Sequence, residues 1–302
     1  VHGGEEFTQP TLIDDHVIDV LESLVPLAPL HNPANISGIR AARAVWPDVA
    51  QVAVFDTAFH RTLPAAAFRY AVPTSWYTEH SVRRYGFHGT SHAYVARRAA
   101  GVLGQRLDEL KLITAHLGNG ASIAAIAGGR SVDTSMGLSP LEGLVMGTRS
   151  GDIDPAVVAH VAQAQARDPL DVIDDLTRRS GLRGLCGDSD MRTITERADA
   201  GDDAAALAMD VFAHRVKKYL GAYLAVLGGC DAIVFTGGIG EHNARIRAAA
   251  CSDLKRLGID LDRGRNEAAE TIVSTDDSPT AILVIPTDEE REIAEQTAVV
   301  VG

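Results

Sequence analysis

The sequence predicts an α/β fold, and three observations carry that prediction. Short apolar runs that read as buried strands, at residues 112–117, 231–235 and 281–285, alternate with amphipathic stretches at helical spacing. Glycine turns follow two of these runs directly, as Gly118-Asn119-Gly120 and Gly237-Gly238-Ile239-Gly240. At 302 residues the chain is long for one hydrophobic core, which favours two lobes.

The elements follow in order. Residues 11–24 carry Ile13, Val17, Leu21 and Leu24 at helical spacing, with Asp14 and Asp15 in the first turn, where the helix dipole favours acids. Residues 35–45 are expected as a second helix, ended by Trp46-Pro47. Residues 51–55 read as a buried strand that delivers Asp56 at its carboxyl end, the place where ligand groups collect in open α/β sheets. A helix is expected over 89–101, with Ser91 as candidate N-cap. Residues 112–117, the Gly-Asn-Gly turn and residues 121–126 form a predicted hairpin, and a third strand starts at 131–133 after Gly128-Gly129. Residues 155–166 look helical. Residues 210–227 form a long amphipathic helix with Phe212, Val216, Tyr219, Leu220, Tyr223, Leu224 and Leu227 on one stripe, stopped by Gly228-Gly229; its tyrosines are expected in the core. After the last strand, Pro286-Thr287-Asp288-Glu289-Glu290 leads into a C-terminal helix.

Composition bounds the function. The hydrophobic fraction of 46% and charged fraction of 23% are ordinary for a globular protein. With 28 Lys+Arg against 40 Asp+Glu, the net charge of -12 argues against a nucleic-acid partner. It leaves room for an anionic small molecule in a local cationic pocket. Cys186, Cys230 and Cys251 form neither a metal-type pair nor a disulfide framework, so a reducing, cytoplasmic setting is expected. No apolar run reaches the ~18 residues of a membrane span, and no secretory signal is visible.

The stretch from Asp133 to Pro155 fits no regular element, holds four glycines and two prolines, and contains a single cation, Arg149. A guanidinium donates two parallel hydrogen bonds to a carboxylate or phosphoryl group, so an ordered loop carrying one reads as an oxyanion grip. A solvated surface loop would show the same composition. The glycine turns let backbone N–H groups approach phosphates, although neither matches a P-loop or a dinucleotide fingerprint. Asp56 and the pair Glu289-Glu290 are candidate ligands for a hard cation, and equally read as helix-start carboxylates. His31, His88, His92 and His116 adjoin predicted turns or strand ends. The spacing of His88 and His92 could serve zinc, but the motif glutamate and a third ligand are lacking. His88 fits better as a donor to a transferred phosphoryl group, and His92, one turn on, reads as structural.

Five blocks, in order, resemble the acetate kinase (acetokinase) family: Phe55-Asp-Thr-Ala-Phe-His60, Arg84-Tyr-Gly-Phe-His-Gly-Thr-Ser-His92, Ala115-His-Leu-Gly-Asn-Gly120, Asp133 to Pro155, and Phe235-Thr-Gly-Gly-Ile-Gly-Glu241. The resemblance implies an actin-like, ribonuclease H-like duplicated α/β fold of two lobes, the N-terminal one incomplete. Residues 1–60 with 294–302 would be the remainder of that lobe, and 61–293 the C-terminal nucleotide-binding lobe, with a hinge near His60 to Pro64. It implies reversible, in-line phosphoryl transfer from ATP to acetate, dependent on Mg²⁺ or Mn²⁺, in a homodimer.

Carried over by position, Arg149 would bind the carboxylate and the phosphoryl group in flight, His88 would stabilise the phosphoryl oxygens, Asp56 would orient substrate or metal, and Glu289 would serve the metal. His116, Leu117, Gly118, Asn119 and Gly120 would lie along the phosphates. Asp190, Met191 and Arg192, with Gly238, Ile239, Gly240, Glu241 and His242, would form the nucleotide pocket. Val1, Leu30, Phe87 and Pro140 would line a pocket for the acetate methyl, with His31 beside it. Two family features are absent upstream: an Asn-x-Gly-Ser-Ser-Ser turn and an Arg two residues before the position of Val1. The expectation is therefore that roughly the first quarter of a natural chain precedes Val1. His242 and Asp288 stand where the family usually has Asn. A propionate or other short-chain carboxylate kinase, or an inactive nucleotide-binding relative, are the rival readings.

Overall fold

The computed structural model describes residues 1–29 and 31–302; Leu30 lies outside the described residues. Its centre is a five-stranded sheet of order β5-β4-β3-β6-β7, built from β3 (Lys111–Leu117), β4 (Ala121–Ala127), β5 (Arg130–Thr134), β6 (Ala232–Thr236) and β7 (Ala281–Val284). The Gly-Asn-Gly turn closes the β3–β4 hairpin with Leu117 opposite Ala121, and β4 pairs antiparallel with β5. On the other side β6 and β7 run parallel to β3. The carboxyl ends of β3, β6 and β7 therefore lie side by side, with His116 in register with Thr236.

Both faces of the sheet are covered, which explains why its strands read as near-continuous apolar runs. Alternate residues sort cleanly. Leu112, Ala124, Ile126, Val234 and Leu283 meet the helix Gly89–Leu103 through Val95, Ala96 and Ala99. Ile113, Ala115, Ile123, Ile233 and Phe235 meet the helix Asp203–Leu227 through Phe212, Val216 and Leu220. A separate apolar cluster of Phe7, Val17, Ile18, Leu21, Ile36 and Phe55 underlies β1 (Thr11–Leu12) and β2 (Val52–Ala53), which pair antiparallel, and the helices Asp15–Ser23 and Asn32–Val45.

Several expected elements shift. The segment 11–24 is a two-residue strand followed by a helix, because Asp14 caps that helix by accepting from the Val17 N–H instead of entering it. Residues 51–55 contribute only two paired residues, half-buried, in the small sheet. The N-cap of the helix Gly89–Leu103 is His88, in the left-handed region at φ 57, and Ser91 sits inside the first turn. The helix expected over 210–227 begins at Asp203, capped by Asp202, whose carboxylate accepts from the N–H groups of Ala204 and Ala205. Tyr223 is buried, as expected, whereas Tyr219 is only half-buried and its hydroxyl donates to Asp152 Oδ2 (2.9 Å).

Arg247 fastens the cleft wall to this core. Its fully buried guanidinium donates to the carbonyls of Gly240, Glu241 and Asn266 and to Asn266 Oδ1. Arg247→Met keeps the bulk and strands four buried acceptors, so a loss of about 3 kcal/mol in denaturant unfolding is expected. A change below about 1 kcal/mol would show that water replaces the guanidinium there.

Candidate active site

The carboxyl ends of the three parallel strands, the first turn of the helix Gly89–Leu103 and the loop holding Arg149 converge on one cleft, the position expected for a ligand site in an α/β sheet. The turn before that helix is strained and heavily tied. Gly86 has φ +77, and a Cβ there would stand 2.6 Å from the His60 ring and from Thr134 Cγ2. His60 Nε2 bonds the Phe87 carbonyl at 3.0 Å. The His88 N–H donates to Asp56 Oδ2 (2.8 Å) and the Gly89 N–H to the Asp56 carbonyl (2.9 Å), so residues far apart in sequence become neighbours. A Cβ on Gly89 would lie 2.3 Å from that carbonyl, which is why glycine occupies the position.

His88 and His116 stack with ring centroids 4.3 Å apart. His88 Nδ1 bonds Ser122 Oγ, and His116 Nδ1 bonds Ser91 Oγ, both at 2.8 Å; Ser91 Oγ also contacts Thr287 Oγ1. The Thr90 hydroxyl lies 3.0 Å from Glu289 Oε2 and 3.5 Å from Asp56 Oδ1, so two carboxylates meet there. Burial, together with the Glu289 charge, pushes the Asp56 carboxyl up to about 6, against the pull of two backbone N–H donors. Two mutually repelling oxygen donors suit a hard dication completed by water and phosphate oxygens. Both ring nitrogens of His92 are engaged, Nδ1 by Thr114 Oγ1 and Nε2 by Ser122 Oγ, each at 2.8 Å, so His92 has no free nitrogen to share a zinc ion with His88.

Arg149 sits on the opposite wall. Its loop is shaped by backbone bonds to the helix Gly181–Cys186: Leu182 N–H to the Met146 carbonyl, Arg183 N–H to Gly147, and Ser180 N–H to Thr148. Gly147 N–H donates to the Asn119 carbonyl, joining this loop to the β3–β4 turn. Beneath, Arg84 donates to the carbonyls of Ser135 and Met136 and pairs with Glu142 (2.5 Å). The half-buried Arg149 guanidinium donates to the Pro140 carbonyl (3.2 Å) and has no carboxylate partner among the described residues. Burial pushes its pKa down, the sign of a cation held without a counter-ion. A Cβ on Gly120 would lie 3.3 Å from His88 Nε2 and 3.6 Å from Arg149 Nη1, so glycine separates imidazole from guanidinium.

Beside this centre opens a cleft of about 420 Å³, lined by Gly118, Asn119, Asp190, Met191, Arg192, Gly238, Ile239 and His242, with Ser189 and Asn243. It is therefore flanked by both glycine turns. Gly240 lies against the sheet, and the Glu241 carboxylate accepts from the N–H groups of Gly237 (2.8 Å) and Thr287 (3.3 Å), tying the ends of β6 and β7 together. The Leu117 side chain is buried in the core, so only its backbone is available to the cleft. Val1 accepts the Asp56 N–H at its carbonyl (3.1 Å), and Phe87 is buried beside His2. His31 is exposed at the start of its helix and bonds none of these groups. The sequence reading missed Thr90, Ser91, Thr114, Ser122 and Thr287, the hydroxyls that hold the histidines and Glu289. The available signal was periodicity: Thr114, His116 and Ser122 share one sheet face, and His88, Ser91 and His92 share the helix face against it.

The buried histidines make stability acid-sensitive. Burial pushes His2 and His60 from 6.5 to about 4, and holds His88 and His92 well below 6.5. Each binds fewer protons folded than unfolded, so its contribution is present above about pH 6.5 and lost as the pH falls toward 4. Asp56, raised from 3.8, works in the opposite sense, losing stability as the pH rises through about 6. Burial also lowers His116 and raises Asp133, so five histidines less two carboxyls give a net uptake of roughly three protons on unfolding near pH 5. Metal-free protein melted from pH 7 to 4 should therefore lose Tm steeply; an uptake below about one proton contradicts this account.

A model described as the acetokinase family matches residues 1–295. The chain is 57% identical to an acetate kinase of Streptomyces avermitilis over all of its length and 75% of that protein. It is 55% identical to an acetate kinase of Syntrophobacter fumaroxidans, over 98% of the chain and 73% of the relative. Among solved structures it is similar to Porphyromonas gingivalis acetate kinase (TM-score 0.97, 45% identity, 100% of this chain and 76% of that one). It is also similar to a propionate kinase of Francisella tularensis (TM-score 0.94, 46% identity, 98% and 76%). The chain thus spans about three quarters of the length of these relatives.

Proposed function

The chain belongs to the acetokinase family, and on that premise we propose that it transfers the γ-phosphoryl group of ATP reversibly to acetate, giving ADP and acetyl phosphate. The observation that carries the proposal is Arg149: a half-buried guanidinium without a counter-ion among the described residues, across Gly120 from His88 and beside a cleft flanked by two glycine turns. A half-buried cation without a carboxylate partner costs stability unless an anion neutralises it.

Phosphoryl transfer asks mainly for positioning and for neutralising charge on oxygens in flight. Arg149 binds the acetate carboxylate and follows the phosphoryl oxygens as they move. His88, uncharged, donates a hydrogen bond to the same oxygens. His116 lies between that centre and the Gly118–Gly120 turn, whose backbone runs along the phosphates. Gly238, Ile239, Met191 and the paired Asp190 and Arg192 line the nucleoside end. Asp56 and Glu289 would hold Mg²⁺, which when bound neutralises phosphate charge. Asp56 also keeps the His88 N–H in place. Val1, Phe87 and Pro140 are assigned to the acyl side, where one methylene is worth about 1–3 kcal/mol of discrimination between acetate and propionate.

We assign residues 1–60 with 294–302 to one lobe and 61–293 to the other, and expect a homodimer acting in the cytoplasm. No helix among the described residues is long and apolar enough to cross a membrane. The test is acetyl hydroxamate formation with hydroxylamine as trap. Product should require acetate, ATP and Mg²⁺ together, with kcat/KM for acetate above that for propionate. No hydroxamate from any short carboxylate would overturn the kinase assignment, and a higher kcat/KM for propionate would reassign the substrate.

A further inference from the structure

Behind His88 lies a buried chain of three polar side chains, Ser122, His92 and Thr114, that the transfer scheme leaves unused. Thr114 Oγ1 is 2.8 Å from His92 Nδ1, His92 Nε2 is 2.8 Å from Ser122 Oγ, and Ser122 Oγ is 2.8 Å from His88 Nδ1. Thr114, Ser122 and His92 have no exposed surface. His88 Nε2 makes no hydrogen bond among the described residues and lies on the side of Gly120 and Arg149.

We infer that Thr114, His92 and Ser122 form a one-way hydrogen-bond chain that fixes the His88 proton on Nε2, presenting an N–H to the cleft. The argument is a count of protons. Ser122 has one hydroxyl proton and two imidazole neighbours, so it donates to one ring and accepts from the other. If it donates to His88, then His92 Nε2–H donates to Ser122, and the Thr114 O–H donates to the bare His92 Nδ1. Every buried proton then has an acceptor, and the remaining one, on His88 Nε2, points at the cleft. In the reverse direction His92 Nδ1–H donates to Thr114. The Thr114 proton is then buried with no acceptor among the described residues, and His88 turns a lone pair toward the anionic phosphates. An unmatched buried hydroxyl proton costs about 1–3 kcal/mol, enough to set the direction.

The rings carry one proton each, as the count requires. A second proton on either ring would leave a hydroxyl proton of Ser122 or Thr114 without an acceptor among the described residues. Thr114 and His92 are thus positioning residues that act through Ser122; only His88 touches the reacting group. The inference rests on the kinase reading for its purpose but not for its test.

Ring protonation is read without substrate, from two-bond proton–nitrogen correlation spectra of ¹⁵N-labelled protein at pH 7. The His88 and His92 signals are identified by their loss in His88→Gln and His92→Gln. Both rings should show a protonated Nε2 and a bare Nδ1. A proton on Nδ1 of either ring, or two protons on either, overturns the relay, and does so even if acetyl phosphate forms at full rate. Thr114→Val should lower kcat about tenfold with KM for ATP and acetate within about twofold, and Thr114→Ser should regain most of it. Full kcat in Thr114→Val, or no recovery in Thr114→Ser, equally overturns it.

Discussion

Replacing Arg149 by alanine is expected to lower kcat for acetyl phosphate formation about a thousandfold, while ATP binding stays within a few-fold of the parent protein. The size follows from what the guanidinium does. It is the one cation of the 133–155 loop, it has no counter-ion among the described residues, and it lies across Gly120 from the His88 ring. A charge held this way is free to be neutralised by the substrate and to follow charge as it develops. Arg149→Lys should recover little, because an ammonium on a flexible stem cannot present a planar two-pronged donor. Steady-state kinetics with the hydroxamate trap measure both variants. A loss below about tenfold for alanine would remove Arg149 from the transition state.

Gly181→Ala is expected to disable the protein without touching any group that meets substrate. Gly181 has φ +62, and a Cβ would stand 2.1 Å from the Met146 carbonyl oxygen, 2.6 Å from that of Arg149 and 3.0 Å from the Arg149 nitrogen. These are backbone atoms of the turn that aims the guanidinium, so the turn must open. We expect about 3 kcal/mol or more off the unfolding free energy and a fall in kcat of at least about tenfold. Gly187 is the control. It ends the same short helix at φ +82 with open space around it, so alanine there pays only the left-handed backbone cost of about 1 kcal/mol and keeps its kcat. Equal stability and activity in the two variants would show that the contacts around Gly181 do not hold the Arg149 turn.

The sequence exposed the features that rest on local chemistry. The β3–β4 hairpin follows from two apolar runs around Gly-Asn-Gly, and the irregular stretch with one arginine is irregular in the structure because its backbone bonds run to the helix Gly181–Cys186 and to Asn119. It hid what depends on long-range meetings. Asp56 was expected to end a buried strand; it stands instead after a two-residue edge strand and gains its place from the His88 and Gly89 N–H groups. Ser91 has the residue type of an N-cap, but the strained turn through Gly86 puts the cap at His88 and frees the serine for His116. Thr114 and Ser122 read as ordinary strand residues, and only the register of β3 against β4 places them under the histidines. The helices Pro169–Arg178 and Met191–Asp199 escaped notice because their buried positions are few against mostly polar surfaces.

Every role assigned to Arg149, His88 and the glycine turns presumes direct passage of the phosphoryl group from ATP to acetate, with no phosphorylated histidine between. The configuration at phosphorus tests that presumption most directly. With ATP made chiral at the γ-phosphorus by oxygen isotopes and sulfur, one in-line displacement predicts inversion in the acyl phosphate. Retention would require two displacements through a phosphorylated group of the enzyme, and would contradict direct transfer.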